Sequence, residues 1–227
     1  MRAIERIPTG IPGLDEMISG GLPFPSLTLV AGDIGSGKAT FCMQFLCKGA
    51  ELKEPGLYFM TTGGPSEWIF KFISTYEFGK QNYLDNDIKH VDLGECIEAK
   101  KQLDAVLETI RSTILKFQPK RIVMDSLPSI GDIMGDDYKR LLPKLCKMIR
   151  DLKVAVLVTG DSIPGSPYPI DIAHFADGII LLHNTEINLA RRRSIEILKM
   201  RGTSHPCGKY ALDISTKGLT VYPGLQL

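Results

Sequence analysis

The 227-residue chain has no long apolar run, no surplus of charge of either sign and no paired cysteines. Lysine and arginine number 27 against 26 aspartates and glutamates, for a formal net charge of +1. That balance provides no global field to draw in nucleic acid or an anionic membrane. Local basic runs remain, among them Lys100-Lys101 and Arg191-Arg192-Arg193. The longest apolar runs, such as Val154 to Val158, are strand-sized and too short to cross a bilayer. The start, Met1-Arg2-Ala3-Ile4-Glu5-Arg6, is charged with no apolar segment behind it, so no signal peptide is expected. The five cysteines (42, 47, 96, 146 and 207) include no Cys-x-x-Cys pair. They argue against a disulfide framework or zinc site, fit a reducing cytoplasm, and read best as small core hydrophobes. Repeats, low-complexity tracts and long linkers are missing too. One soluble, cytoplasmic α/β domain spanning 1–227 is the expectation.

What is present is an alternation of strand-like and helix-like runs, the mark of a mostly parallel sheet covered on both faces. Leu27 to Ala31, Leu57 to Thr61, Ile88 to Leu93, Arg121 to Asp125 and Val154 to Thr159 read as strands. Helices are expected from Lys38, from Pro65 through Ile73, and along the stripe from Leu103 to Leu115. After Asp125 the pattern predicts a polar loop, then a helix over roughly Tyr138 to Leu152. Beyond Ala173 four short strands, Gly178 to His183, Ser194 to Met200, Lys209 to Ile214 and Leu219 to Tyr222, suggest an antiparallel β tail.

Chemistry concentrates in Gly32-Asp33-Ile34-Gly35-Ser36-Gly37-Lys38-Ala39-Thr40. Gly32, Gly37 and Lys38 have the spacing of a phosphate-binding loop between a buried strand and a helix N-terminus. Glycines let backbone N–H groups turn onto a phosphate, the helix end adds partial positive charge, and Lys38 supplies a mobile cation. The position that normally gives magnesium a hydroxyl ligand holds Ala39. Thr40 cannot substitute, because one helical residue rotates a side chain by about 100°. A second element is Asp125, ending the apolar strand Arg-Ile-Val-Met-Asp. A carboxylate at the C-terminal edge of an open α/β sheet lies where ligands bind and where a Walker-B aspartate would hold Mg²⁺. Thr159 also closes a strand, either as a γ-phosphate sensor or, more commonly, as a plain polar strand end. In Lys199-Met-Arg-Gly-Thr-Ser-His205 the two cations alternate with Met200 and would face one side of a strand.

With these motifs the chain resembles the RecA-fold ATPases of the circadian clock protein KaiC and the related archaeal RadA-paralogue proteins. Thr9-Gly-Ile-Pro-Gly-Leu-Asp15, Gly20-Gly-Leu-Pro23, the glycine loop, Asp125-Ser126, Ala176-Asp-Gly-Ile179 and Lys199 to His205 follow in family order, nearly end to end. The resemblance implies a RecA-like P-loop fold with a C-terminal antiparallel extension, and ATP with Mg²⁺ held between subunits of a ring, a hexamer by expectation. Lys199 and Arg201 match the pair that reaches a neighbour's γ-phosphate, and His205 matches a position near the nucleotide. The family also carries two adjacent glutamates after the second strand, one of them the base for the attacking water. Aligning on Pro65 puts Thr62 and Gly63 there, and Glu67 falls inside the next helix. Neither Thr62 nor Gly63 accepts a proton as a carboxylate does.

The cradle is therefore complete while Ala39 and the missing base both bear on chemistry. That combination predicts a protein that binds ATP well and hydrolyses it poorly, acting as a regulatory or assembly module in a homo-oligomeric or mixed ring. The alternatives are a working ATPase that recruits Asp132, Asp136 or Asp137, and a recombination accessory touching DNA phosphates through its basic runs. The neutral charge balance and lack of a separate DNA-binding domain count against the latter.

Overall fold

The computed structural model describes residues 4–61, 66–100, 102–163 and 165–227, with side chains 66, 67, 95 and 98–100 left aside. Its centre is β3 (Ser26–Gly32), buried at every position. Such a strand is sandwiched between layers, and β3 has parallel neighbours on both sides. In chain order, β1 (Arg6–Ile7), α1 (Leu14–Met17) and β2 (Leu22–Pro23) precede it. Helix α2 (Lys38–Glu51), β4 (Gly56–Met60), α3 (Ser66–Ile73), a π turn (Tyr83–Asp87), β5 (Ile88–Asp92), α4 (Leu93–Lys100) and α5 (Leu103–Phe117) follow. Next come β6 (Arg121–Asp125), α6 (Leu127–Met134), α7 (Asp136–Leu152), β7 (Ala155–Asp161) and α8 (Ile170–Phe175). The chain closes with β8 (Gly178–Ile187), β9 (Ala190–Met200), β10 (Lys209–Ser215) and β11 (Gly218–Gln226).

The nine-stranded sheet runs β11-β10-β9-β8-β3-β7-β6-β4-β5. From β8 to β5 neighbouring strands are parallel, and from β9 to β11 they are antiparallel. Alternation along the strands divides the core. Val30, Tyr58, Val123 and Leu157 face α2 with Phe41, Phe45 and Leu46. Leu29, Phe59, Met124 and Val156 face α5 and α7 with Val106, Ile110, Leu141 and Leu145. The parallel sheet thus buries both faces, as its continuous apolar runs require.

One buried charge anchors the edge opposite the phosphate loop. Arg121, 0% exposed at the start of β6, donates through Nε and Nη2 to one carboxylate oxygen of Glu54 at 2.8 and 2.7 Å. Its Nη1 donates to the carbonyls of Pro8 and Phe45 at 2.7 and 3.0 Å, and its plane lies over the Phe45 ring. Four of its five N–H groups are thus hydrogen-bonded, and pairing of this kind is what makes a buried guanidinium tolerable.

The strand–helix alternation and the β extension match the sequence reading, with three differences. The polar loop expected after Asp125 is helix α6, whose Leu127 and Ile130 are buried and whose Gly131 lets the Tyr138 ring pack closely. Pro128 suits its first turn because a helix's leading N–H groups have no intrahelical partner. The short helices α1, α4 and α8 were also not anticipated. Finally, β8 is parallel to β3, and β8 and β9 run on into a long hairpin turning at Asn188-Leu189, so only β9 to β11 form the antiparallel part. Among the described residues no helix is long and apolar enough to cross a membrane.

Candidate nucleotide site

The loop from Gly32 to Lys38 leaves the C-terminal end of β3 and enters α2 directly. A Cβ on Gly32 would lie 1.9 Å from the Leu182 carbonyl oxygen of β8, so only glycine lets the loop start this close to the sheet. Gly35 and Gly37 adopt φ of 75° and 106°, in the left-handed region that folds the loop back on itself. Gly37 caps α2 with no side-chain hydrogen bond, which leaves the first N–H groups of the helix facing the loop's concavity. Ser36 is buried, and its hydroxyl has no partner among the described residues. Backbone donors, a helix N-terminus and this orphan hydroxyl fit a phosphate group.

Lys38 lies in the cradle and donates to the carbonyls of Gly32 and Asp33 at 2.8 and 2.9 Å. It also pairs with Asp161, the last residue of β7, at 2.9 Å. Asp33 points the other way, accepting from the Ser162 hydroxyl at 2.6 Å and the Asn184 N–H at 3.3 Å. The Ser162 bond, helped by Asn184, holds the Asp33 carboxyl below its ordinary range against a smaller opposing effect of burial. On the outer side, Asn184 Nδ2 and Arg193 Nε reach the carbonyls of Ile34 and Gly35 at 3.4 and 3.2 Å. The β8–β9 hairpin thereby supports the tip of the loop.

Asp125 ends β6 two strands from β3. Thr159 donates to one of its carboxylate oxygens at 2.5 Å, and Tyr58 donates to the other. Burial first, then the Asp125 charge, keeps the Tyr58 phenol protonated and a donor. Thr159, fully buried, is thus a positioning partner of Asp125. Ala39 is exposed and brings no oxygen to the site. For Mg²⁺ the described residues offer Asp125 and no group of three or more acidic, histidine or cysteine side chains. That donor set fits an ion held mainly by phosphate oxygens and water. Thr62, Gly63 and Pro65 lie outside the described residues, as does the Glu67 side chain.

Lys199 and Arg201 sit at the other end of the sheet. Met200 pairs with Gly178, which pairs with Thr28 near the start of β3, whereas Gly32 pairs with Leu182. Four residues of strand separate those levels by about 13 Å, with β8 and β9 adding lateral distance. Arg201 Nη1 is 2.9 Å from Asp177, which Arg150 also meets at 3.4 Å. Lys199 Nζ donates to the Ala173 carbonyl at 3.2 Å. Partial burial, then Arg201, pulls its pKa down. His205 is half-buried and contacts the Pro206 carbonyl. Asp132, Asp136 and Asp137 belong to α6 and α7, with Asp137 paired to Arg140. Of the basic runs, Arg191 pairs with Glu186 and Arg193 braces the loop, while Lys101 and the Lys100 side chain fall outside the described residues.

Sequence reasoning missed Tyr58 and Asp161, and gave Asp177, inside the segment Ala176 to Ile179, no role of its own. Tyr58 sits inside an apolar strand and gave no signal. Asp161 was within reach, since the argument applied to Asp125 holds for any acid ending a strand beside the loop.

Strand order, loop and strand-end acid together define a RecA-like P-loop nucleotide-binding domain. The chain belongs to the KaiC ATPase family, whose model matches residues 7–226. A UPF0273 protein of Thermotoga maritima is 31% identical over 97% of both chains. The circadian clock oscillator protein KaiC of Prochlorococcus marinus is 28% identical over 97% of this chain but 46% of its own length. The chain therefore spans about half of that clock protein. Among solved structures, a KaiC-like protein of Pyrococcus horikoshii superposes with a TM-score of 0.85 at 31% identity, covering 97% of this chain and 100% of the other. Membership of this ATPase family implies nucleotide binding.

Proposed function

We propose that the protein is an ATP-binding regulatory or assembly module in which nucleotide is held between neighbouring copies of a ring and hydrolysed slowly. The observation that carries this reading is the position of Lys199 and Arg201. They lie at the end of the sheet away from the chain's own phosphate loop, so they serve a nucleotide only on another subunit. That arrangement suits a head-to-tail contact, which closes into a ring when the rotation per subunit permits. Gly32 to Thr40 would hold the phosphates and Asp125 would support Mg²⁺, the ion lowering the charge of the phosphates it contacts. Ala39 weakens the metal's hold more than the nucleotide's. Thr62 and Gly63 stand where the family's glutamates stand, which leaves the attacking water without its base. Occupancy alone then drives assembly by mass action.

The test is sedimentation velocity of the purified protein with and without ATP and Mg²⁺. ATP should move the protein from a small species to a discrete larger ring. A protein that binds ATP yet keeps its sedimentation coefficient contradicts the ring.

A further inference from the structure

The ammonium of Lys38 has three protons to donate, and its own chain sets three oxygens around it at 2.8–2.9 Å. Two are loop carbonyls, those of Gly32 and Asp33, at 2.8 and 2.9 Å. The third, the Asp161 carboxylate at 2.9 Å, is held as an ion pair. A phosphate oxygen that takes its usual bond from this lysine must displace one of them. The carbonyls are fixed by the fold of the loop, with Gly32 also accepting from the Ser162 N–H at 3.3 Å. Asp161 is a side chain 61% exposed and free to rotate. It is also the only one of the three with a full negative charge, as a phosphate has.

We propose that Asp161 is a specificity residue of the nucleotide site, competing with the terminal phosphate for Lys38 and disfavouring ATP relative to ADP. This rests on the reading of Gly32 to Thr40 as the phosphate cradle. Displacing Asp161 costs little, because the residue also lines a cleft of about 550 Å³ between α6 and the segment after β7. The displaced carboxylate nevertheless stays close. It is tied by backbone pairing to Gly32, on the strand next to the loop. A negative charge retained there opposes each further phosphate, and ATP brings one more than ADP. The lysine reaches towards the β- and γ-phosphates, so the competition is felt where the two nucleotides differ.

The experiment is calorimetric titration of ATP and of ADP, each with and without Mg²⁺, into the full-length protein and its Asp161→Asn and Asp161→Ala variants. The exposed position makes both variants compatible with folding, which thermal melts will verify. Freeing Lys38 from one partly exposed ion pair should tighten ATP about threefold to tenfold and ADP by less. The gain should be larger without Mg²⁺, where the phosphate charge is uncovered. ATP affinity that stays the same or falls in both variants overturns the proposal, as does an equal gain for ADP. If the unmodified protein binds ATP and the variants do not improve on it, only the role of Asp161 fails. If no form binds either nucleotide, the reading of the cradle fails with it.

Discussion

Arg201 and Asp177 form an ion pair at 2.9 Å, so the arginine assigned to a neighbour's nucleotide is already held by a carboxylate of its own chain. The pair closes the open end of the β8–β9 hairpin, with Asp177 just before β8 and Arg201 just after β9, and the Arg201 N–H also donates to the Asp177 carbonyl at 2.8 Å. Arg6 fixes the turn that follows, donating to the Gly202 carbonyl and the Thr203 hydroxyl at 3.1 and 2.9 Å. The segment is thus presented in a fixed conformation, with only the arginine's exposed head to be exchanged between partners.

Replacing Arg201 with Ala should abolish the ATP-dependent rise in sedimentation coefficient while leaving the fold intact. A surface ion pair is worth about 1 kcal/mol or less, so the melting temperature should fall by only a few degrees. ATP-driven assembly that persists unchanged in this variant removes Arg201 from the interface.

Lys38→Ala should weaken ATP binding by about tenfold to a hundredfold, the loss expected for one charge-assisted hydrogen bond to phosphate. Equilibrium dialysis with labelled ATP measures this directly. Unchanged affinity would mean that the phosphates lie elsewhere.

Ala39→Thr restores a hydroxyl at the magnesium position, on an exposed site with room for it. Mg²⁺ should then strengthen ATP binding by about tenfold more than it does in the unmodified protein, the value of one good ligand contact. Turnover should stay low, as the proposed lack of a base at Thr62 and Gly63 requires. Adding Thr62→Glu to this variant should raise turnover by about 10²-fold or more.

The Arg121–Glu54 pair should make the protein less stable in acid. Burial alone would raise the Glu54 pKa, but hydrogen bonds and charge from Lys120 and Arg121 outweigh it and hold the carboxyl below its ordinary 4.5. A depressed carboxyl contributes its stability above the unfolded value, and that contribution is lost as pH falls below about 4.5 through the folded value. Glu54→Gln leaves Arg121 charged and buried without its counter-ion, a loss of about 3–5 kcal/mol. Urea melts across pH should show a large deficit for the variant at neutral pH that narrows in acid.

The fold was legible because its determinants are local and strong. Val30, Tyr58 and Val123 sit in continuous apolar strands, Gly37 and Lys38 mark a helix start, and Asp125 ends a strand at the ligand edge. What escaped were relationships created by packing. Helix α6 is stabilised by Leu127 and Ile130 meeting the core and by Tyr138 lying against Gly131, a contact with no local signature. The hold of Tyr58 and Thr159 on Asp125 joins three strands that are apart in sequence and adjacent only through the sheet order. Asp161 reaches Lys38 for the same reason, since β7 pairs with β3 across more than a hundred residues.

Most directly, ATP binding and steady-state hydrolysis should be measured on the purified protein with and without Mg²⁺. Binding should be readily detected and depend only modestly on Mg²⁺. Hydrolysis should run about 10²–10⁴-fold below that of P-loop ATPases equipped with a carboxylate base. Turnover at the ordinary rate of about 1 s⁻¹ or faster would contradict a site built to hold nucleotide rather than consume it.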